Sequence, residues 1–337
     1  MKSKNIVFVE PNKAELLEDE VRLPQAGEVL VRLSVSTISS GTERANLVGD
    51  LRVSIAADQA VAKFPRYGGY SSAGTVVQVG EGVTKVKAGD RVALSWSKHR
   101  QYVTISAENI CPIDEVDFAD AALFHIGIFP LAAIRKCRLE IGESAIVMGL
   151  GVLGLFGIQL LRAAGAVPVI AVDPVAEKRE KALQCGADYA LDPYDPSFAQ
   201  RVKELTGGGA NVGIEVTGIG KGLDGLLDCM APFGRVALLG CTRNSDFSID
   251  YYRKVHGPGI SLIGAHTSAR PTEESSAGWW TQKDDMKALK ILTETSRICP
   301  SALVDETHSP TEASAVYDRL VREIAFPIVQ FNWEAFE

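Results

Sequence analysis

Ser144-Ala-Ile-Val-Met-Gly149-Leu-Gly151-Val-Leu-Gly154, running on to Ala171-Val172-Asp173, decides how this chain is read. It joins a buried apolar strand, a glycine turn, an apolar helix, a second apolar strand and a terminal acid, the order of a dinucleotide-binding unit. Each glycine has a physical task. Gly149 permits the tight turn, Gly151 lets backbone N–H groups approach a pyrophosphate, and Gly154 lets the helix pack close to the sheet. Val152 and Leu153, which open that helix, belong to the same expected phosphate site. Asp173 follows Gly154 at about the ~20-residue distance of an acid that binds the adenosine ribose. A carboxylate there accepts hydrogen bonds from both ribose hydroxyls and repels a 2′-phosphate, so NAD is expected rather than NADP. Lys178 and Arg179 weaken that preference a little, because either can curl toward an added phosphate. Further along, Thr217-Gly218 and Gly240-Cys241 end later strands and are expected to border the cofactor.

Working outward, composition bounds the rest. The chain has 337 residues, 46% hydrophobic and 23% charged, which suits a globular protein of about two domains. Its formal charge of −7 argues against nucleic-acid or anionic-membrane partners and favours small-molecule ligands. The opening run Ile6–Val9 is too short for a signal-peptide core, and no apolar stretch approaches the ~20 residues of a transmembrane helix. Six cysteines (Cys111, Cys137, Cys185, Cys229, Cys241 and Cys299) lie scattered with no Cys-x-x-Cys pair, which reads as reduced thiols and a cytoplasmic location.

Before the glycine turn, apolar or alternating runs at Glu28–Val35, Gly74–Val79, Arg91–Leu94 and Tyr102–Ile105 predict a β-rich body, with a turn at Lys87-Ala-Gly89-Asp90. From about Glu143 strands and helices alternate as far as Ser261–Ile263, which predicts a parallel sheet covered on both faces. Thr206-Gly-Gly-Gly-Ala210 reads as a plain turn. After Ala265 come a polar loop, the Trp279-Trp280 pair, helices near Asp284–Thr295 and Thr311–Glu323, and a closing strand Pro327–Phe331. The simplest assembly returns this tail to the N-terminal body and leaves the substrate in a cleft between the two domains.

Five motifs, in order and spacing, resemble the medium-chain dehydrogenase/reductase family. They are Ile38-Ser-Ser40-Gly41-Thr42-Glu43, Gly69-Tyr70-Ser71-Ser72-Ala73-Gly74 with Val79-Gly80-Glu-Gly-Val83, Val86-Lys-Ala-Gly89-Asp90-Arg91-Val92, Gly149–Gly154, and Gly264-Ala265. The resemblance implies an α/β chain made of a GroES-like β-rich catalytic domain, residues 1–125 and 267–337, and a Rossmann doubly wound parallel-sheet domain, residues 126–266. It also implies a homodimer or homotetramer. In the family's zinc enzymes the metal is held at positions that fall on Ser40, on Tyr70 with Ser71, and near Ile126. A hydroxyl, a phenol and an alkyl chain are not a zinc ligand set, so no zinc is expected. The four-cysteine structural-zinc lobe is absent too, since Arg91–Trp96 passes directly to Gln101–Ile105.

Without a Lewis acid, the proton in a hydride transfer falls to side chains. Ser40, Thr42, Tyr70 and Ser71 head the candidates, Thr42 at the position of the family's proton relay. His125, just before the third metal position, ranks first among the five histidines, and His99 follows, in a loop near the expected substrate mouth. His256 and His266 flank the last Rossmann strand, while His308 reads as a surface residue. Ser40, Ser71, Tyr70 and His125 equally admit plain structural roles. Glu43 matches a family acid that usually pairs with a basic residue near the C-terminus, where this chain has Ala325-Phe-Pro-Ile328; Arg44, Arg322 or a role in the pocket remain open.

The function expected is a zinc-independent, NAD(P)-dependent oxidoreductase acting on a secondary alcohol or ketone of a sugar, glycoside or polyol. The region Asp250–Thr267 and the tryptophan pair look like bacterial sugar- and glycoside-oxidising relatives, whereas Ser-Gly-Thr-Glu with Gly-Tyr looks like the bacteriochlorophyllide dehydrogenase branch. Trp279 and Trp280 suit either a sugar ring or a packing anchor. A quinone- or enone-type reductase and a catalytically inactive nucleotide sensor are the alternatives.

Overall fold

A computed structural model describes residues 1–53, 61–245 and 247–336. The chain divides into two units, Met1–Ile126 with Met286–Glu337, and Gly127–Asp285.

The first unit is built on antiparallel strands. Glu28–Thr37 is its hub, pairing with Ser71–Val79 on one side and with both Tyr102–Ser106 and Val329–Asn332 besides. Ser71–Val79 then pairs with Arg91–Ser95 across the expected connection, where Gly89 takes φ +94°. The tail therefore returns to the N-terminal body, with Gln330 opposite Thr37. Its strand begins at Val329, past Pro327, which has no N–H to give a ladder. One hairpin escaped the sequence reading: Lys2–Glu10 against Lys13–Glu20. The second arm, Lys-Ala-Glu-Leu-Leu-Glu-Asp-Glu, is mostly solvent-facing and shows no period-2 apolar face. Behind the strands, Phe8, Leu33, Leu47, Tyr317, Phe331 and Trp333 share one apolar core with the helix Ala313–Arg322.

The second unit holds a six-stranded, all-parallel sheet in the spatial order Tyr189–Leu191, Val169–Val172, Ala145–Met148, Ala210–Glu215, Met230–Leu238, Ser261–Gly264. The first three strands are laid down in one direction and the last three in the other, so the switch point lies between Ala145–Met148 and Ala210–Glu215. Ile146, Ile170, Val172, Leu226 and Val236, all buried, show why these runs are continuously apolar. The Thr206–Ala210 run is a helix end: Gly207 takes φ +70° as a left-handed cap, and the Thr206 hydroxyl accepts the Gly209 N–H at 2.9 Å.

This unit runs on to Asp285, beyond the boundary expected at 267. Asp285 is fully buried and held by Arg135 at 2.9 Å and Arg270 at 3.6 Å. The Arg135 guanidinium stacks 3.5 Å from the Trp280 ring, and Lys136 stands 4.9 Å from Trp279. The tryptophan pair is thereby occupied with neighbouring cations of its own unit.

Candidate active site

The cofactor end of the second unit follows from its glycines. Gly149 takes φ +101°, and a Cβ there would stand 2.9 Å from Thr217 Cγ2. A Cβ on Gly154 would fall 1.9 Å from the Gly149 carbonyl oxygen, so only glycine lets the helix Val152–Ala163 approach the turn. Gly151, by contrast, faces open space. Standing at the helix N-cap without a side chain, it leaves the first-turn N–H groups, those of Val152 and Leu153 included, suited to a pyrophosphate.

Asp173 ends the next strand and is 7% exposed. Its Oδ2 accepts the Leu150 N–H and its Oδ1 the Val175 N–H, both at 2.9 Å. A carboxylate offers about four acceptor positions, so room remains for two ribose hydroxyls. Arg179 donates to the carbonyls of Asp173 (2.7 Å) and Pro174 (2.9 Å) and faces Asp192 at 3.4 Å. Its guanidinium is thus engaged, while Lys178 lies half-buried on the same helix. Thr217-Gly218 and Gly240-Cys241 meet at close quarters: a Cβ on Gly240 would stand 2.5 Å from the Gly218 nitrogen, and one on Gly218 2.6 Å from the Cys241 carbonyl oxygen. Cys241 is exposed. Beneath them lies an acid that sequence reading missed. Glu215, 2% exposed, accepts the Thr217 hydroxyl and the N–H groups of Thr217 (2.8 Å) and Gly218 (3.1 Å). Burial pushes its pKa up, against those donors.

The first unit brings a second group together. Ser39 is the N-cap residue of the helix Ser40–Leu47, yet its side chain makes no capping bond. Its Oγ instead accepts the Tyr70 hydroxyl. His125 is fully buried, its ring edge-on to Tyr70 at 5.5 Å and to Trp96 at 4.5 Å between centroids. Trp96 is 48% exposed and takes φ +63°, a left-handed conformation that costs a bulky residue about 1–3 kcal/mol. Its N–H is fixed by the Tyr70 carbonyl at 2.8 Å. Ser40 and Thr42 are half-buried in the first turn of the Ser40 helix. Tyr70 and His125 are thus neighbours, as a shared site requires. Ser39 and Trp96 were not picked out from sequence. The preference of serine for N-cap positions ahead of Gly-Thr-Glu was the available signal for Ser39.

Other candidates stand elsewhere. The Ser71 hydroxyl donates to the Ala122 carbonyl at 2.7 Å, a buried bond between strand and helix. His99, expected in a loop near the substrate mouth, is fully buried, with Nδ1 2.7 Å from Ser36 Oγ and Nε2 3.0 Å from Glu43 Oε2. Both ring nitrogens are therefore engaged. Glu43, 1% exposed, is held by neither Arg44 nor Arg322. Arg44 donates to the carbonyls of Leu320 and Glu323 at 2.7 Å each, and Arg322 faces Asp318 at 3.5 Å. Glu43 takes instead the Ser39 N–H at 2.8 Å, His99 and the Tyr317 hydroxyl. His256 is exposed against Tyr252, His266 bonds Ser268 at 2.8 Å, and His308 sits between Glu306 (2.8 Å) and Glu312 (3.2 Å).

The donor chemistry does not fit a zinc ion. The positions concerned hold the Ser40 hydroxyl, the Tyr70 phenol, the Ser71 hydroxyl committed to Ala122, and the buried alkyl chain of Ile126. Among the described residues no three His, Cys, Asp or Glu side chains group as metal ligands.

Comparison with known proteins agrees with this architecture. Residues 25–130 match the alcohol dehydrogenase GroES-like domain family and residues 152–280 the zinc-binding dehydrogenase family. L-threonine 3-dehydrogenase of Pyrococcus abyssi is 30% identical over 287 residues, 74% of this chain and 79% of that protein. D-guloside 3-dehydrogenase of Escherichia coli is 26% identical over 300 residues, 83% of this chain and 85% of that protein. The fold is that of an Escherichia coli alcohol dehydrogenase crystallised with NADH, with a TM-score of 0.82 at 19% identity over 98% of this chain and 99% of that one. The chain belongs to the medium-chain dehydrogenase/reductase family and is an NAD(P)-dependent dehydrogenase.

Proposed function

We propose that this enzyme moves a hydride between NAD and a secondary alcohol, or the matching ketone, of a polyol, sugar or glycoside, without zinc. The observation that carries the reading is the Tyr70 phenol, standing where the family's zinc enzymes place a ligand histidine and donating to Ser39 Oγ. When bound, the nicotinamide supplies or takes up the hydride; the chain's own share is the proton. In ketone reduction the carbonyl oxygen takes the Tyr70 proton, the Ser39 hydroxyl steadies the phenolate by a hydrogen bond, and the phenolate regains its proton from solvent. In alcohol oxidation the proton travels the opposite way. Thr42 stands two residues into the same helix, at the family's relay position. Trp96, half-exposed beside Tyr70, offers a flat apolar face of the kind on which sugar rings stack. The guloside-oxidising relative supports the same substrate class. Asp173, with Arg179 turned to its own backbone, supports NAD over NADP.

The test is turnover of purified protein with NAD and NADP on a panel of polyols, methyl glycosides, enones and quinones, before and after strong chelation, with metal analysis of the active fraction. Alcohol oxidation that survives chelation is expected. Activity that disappears with a stoichiometric metal overturns the zinc-free reading. Turnover of enones or quinones alone, or nucleotide binding without turnover, overturns the alcohol.

A further inference from the structure

Glu43 poses an electrostatic problem. A carboxylate 1% exposed costs several kcal/mol unless donors satisfy it, and no arginine or lysine contacts it within ion-pair distance among the described residues. The donors come from three separate stretches, one of them only four residues away. Oε1 accepts the Ser39 N–H at 2.8 Å, and Oε2 receives His99 Nε2 at 3.0 Å and the hydroxyl of Tyr317, 274 positions along the chain. Behind His99 the network continues. Nδ1 lies 2.7 Å from Ser36 Oγ, and that oxygen accepts the Trp333 indole N–H at 2.8 Å. Indole only donates, so with the Ser36 hydroxyl donating to Nδ1 and Nε2–H donating to Glu43 every donor in the chain from Trp333 to Glu43 is satisfied. Tyr317 is itself 1% exposed and packs edge-on to Phe8 at 4.9 Å. Burial holds its phenol well above the ordinary tyrosine pKa, which keeps it a donor.

The far end of this network is Ser39. Its N–H is taken by Glu43 and its Oγ by Tyr70, so one residue joins the buried carboxylate to the proposed proton carrier. We propose that Tyr317 is a positioning residue for proton transfer: by donating to Glu43 it fixes the Ser39 backbone, and with it the acceptor that orients the Tyr70 phenol. The C-terminal helix thereby serves the chemistry of the N-terminal body without touching substrate or cofactor. This rests on the reading of Tyr70 above.

The experiment is a double-mutant cycle with Tyr317→Phe and Tyr70→Phe, run with NAD and the panel substrate that turns over fastest, recording kcat, KM and the pH profile. Tyr317→Phe is expected to lower kcat about tenfold, to leave KM for NAD unchanged and to displace the limb of the pH profile assigned to Tyr70. In a Tyr70→Phe background it is expected to cost nothing further. Glu43→Gln, nearly isosteric, serves as the second variant should Tyr317→Phe fold poorly, with the same expectations. The inference is overturned if either variant lowers thermal stability while kcat and the pH profile stay those of the wild type, or if the two losses in kcat simply multiply. A Tyr70→Phe enzyme with full kcat overturns the Tyr70 reading instead, and takes this inference with it.

Discussion

The hydroxyl of Tyr70 donates to Oγ of Ser39, a residue that occupies a helix N-cap without capping it. An N-cap serine ordinarily satisfies a first-turn N–H and is worth about 1 kcal/mol in doing so. Ser39 has exchanged that bond for one to a phenol, and a local rule broken without local gain marks a site. Tyr70→Phe is therefore expected to lower kcat by about 10²-fold or more, the usual weight of a positioned acid or base. Nucleotide affinity, read by NADH fluorescence titration, should stay within about threefold of wild type, because the phosphate turn lies in the other unit.

Asp173 gives the second expectation. Asp173→Asn keeps the shape but removes the charge that the Leu150 and Val175 N–H groups share and that the hydroxyls of a bound ribose would meet. Losing charged hydrogen bonds costs about 1.5–3 kcal/mol, so NAD should bind about 10- to 100-fold more weakly while NADP changes little. Paired titrations with NADH and NADPH check this. Unaltered discrimination would show that Asp173 does not select the cofactor.

Gly154 admits no Cβ, since one would stand 1.9 Å from the Gly149 carbonyl oxygen and 3.5 Å from Val147 Cγ1. Gly154→Ala must push the helix off the turn, at about 1–3 kcal/mol for overpacking. Urea unfolding should register the loss, and nucleotide binding should weaken with it. Gly151→Ala meets no neighbour, so its unfolding midpoint should stay near wild type.

The corner formed by Glu306, Arg319 and His308 sets a pH dependence. The Arg319 guanidinium, first, and then His308 hold the Glu306 carboxyl at about 2 against an ordinary 4.5. A depressed acid contributes stability that is present above its unfolded value and lost as pH falls from about 4.5 towards about 2. His308 is raised above 6.5, chiefly by Glu306, so its contribution is full below that value and lost as pH rises through the higher folded one. The pairs are partly exposed, with 37% of the Arg319 side chain in solvent, and solvent screening keeps their worth to about 1 kcal/mol or less. Glu306→Gln should shallow both limbs of a stability-against-pH curve from urea unfolding. Limbs as steep as those of the wild type would mean other groups govern them.

Local patterning alone determined the nucleotide half of this protein. The glycine turn, the apolar strands and Asp173 lie within one short stretch, each acts on its near neighbours, and their spacing follows from the geometry of a strand–turn–helix–strand unit. The motifs around Ser40 and Tyr70 likewise show hydroxyls and a phenol at positions where the family's zinc enzymes hold ligands, because side-chain chemistry is a property of residue type. Only tertiary structure decided which polar groups meet. Ser39 rather than Ser40 faces Tyr70, His99 is buried against Glu43, and Tyr317 supplies Glu43 with a donor where the sequence leaves Arg44, Arg322 and the pocket open. Trp280 stacks on Arg135 within the second unit. A hydrogen bond or a cation–ring contact depends on side chains arriving within a few ångströms, and the chain separation between Glu43 and Tyr317 leaves no periodic trace of that arrival.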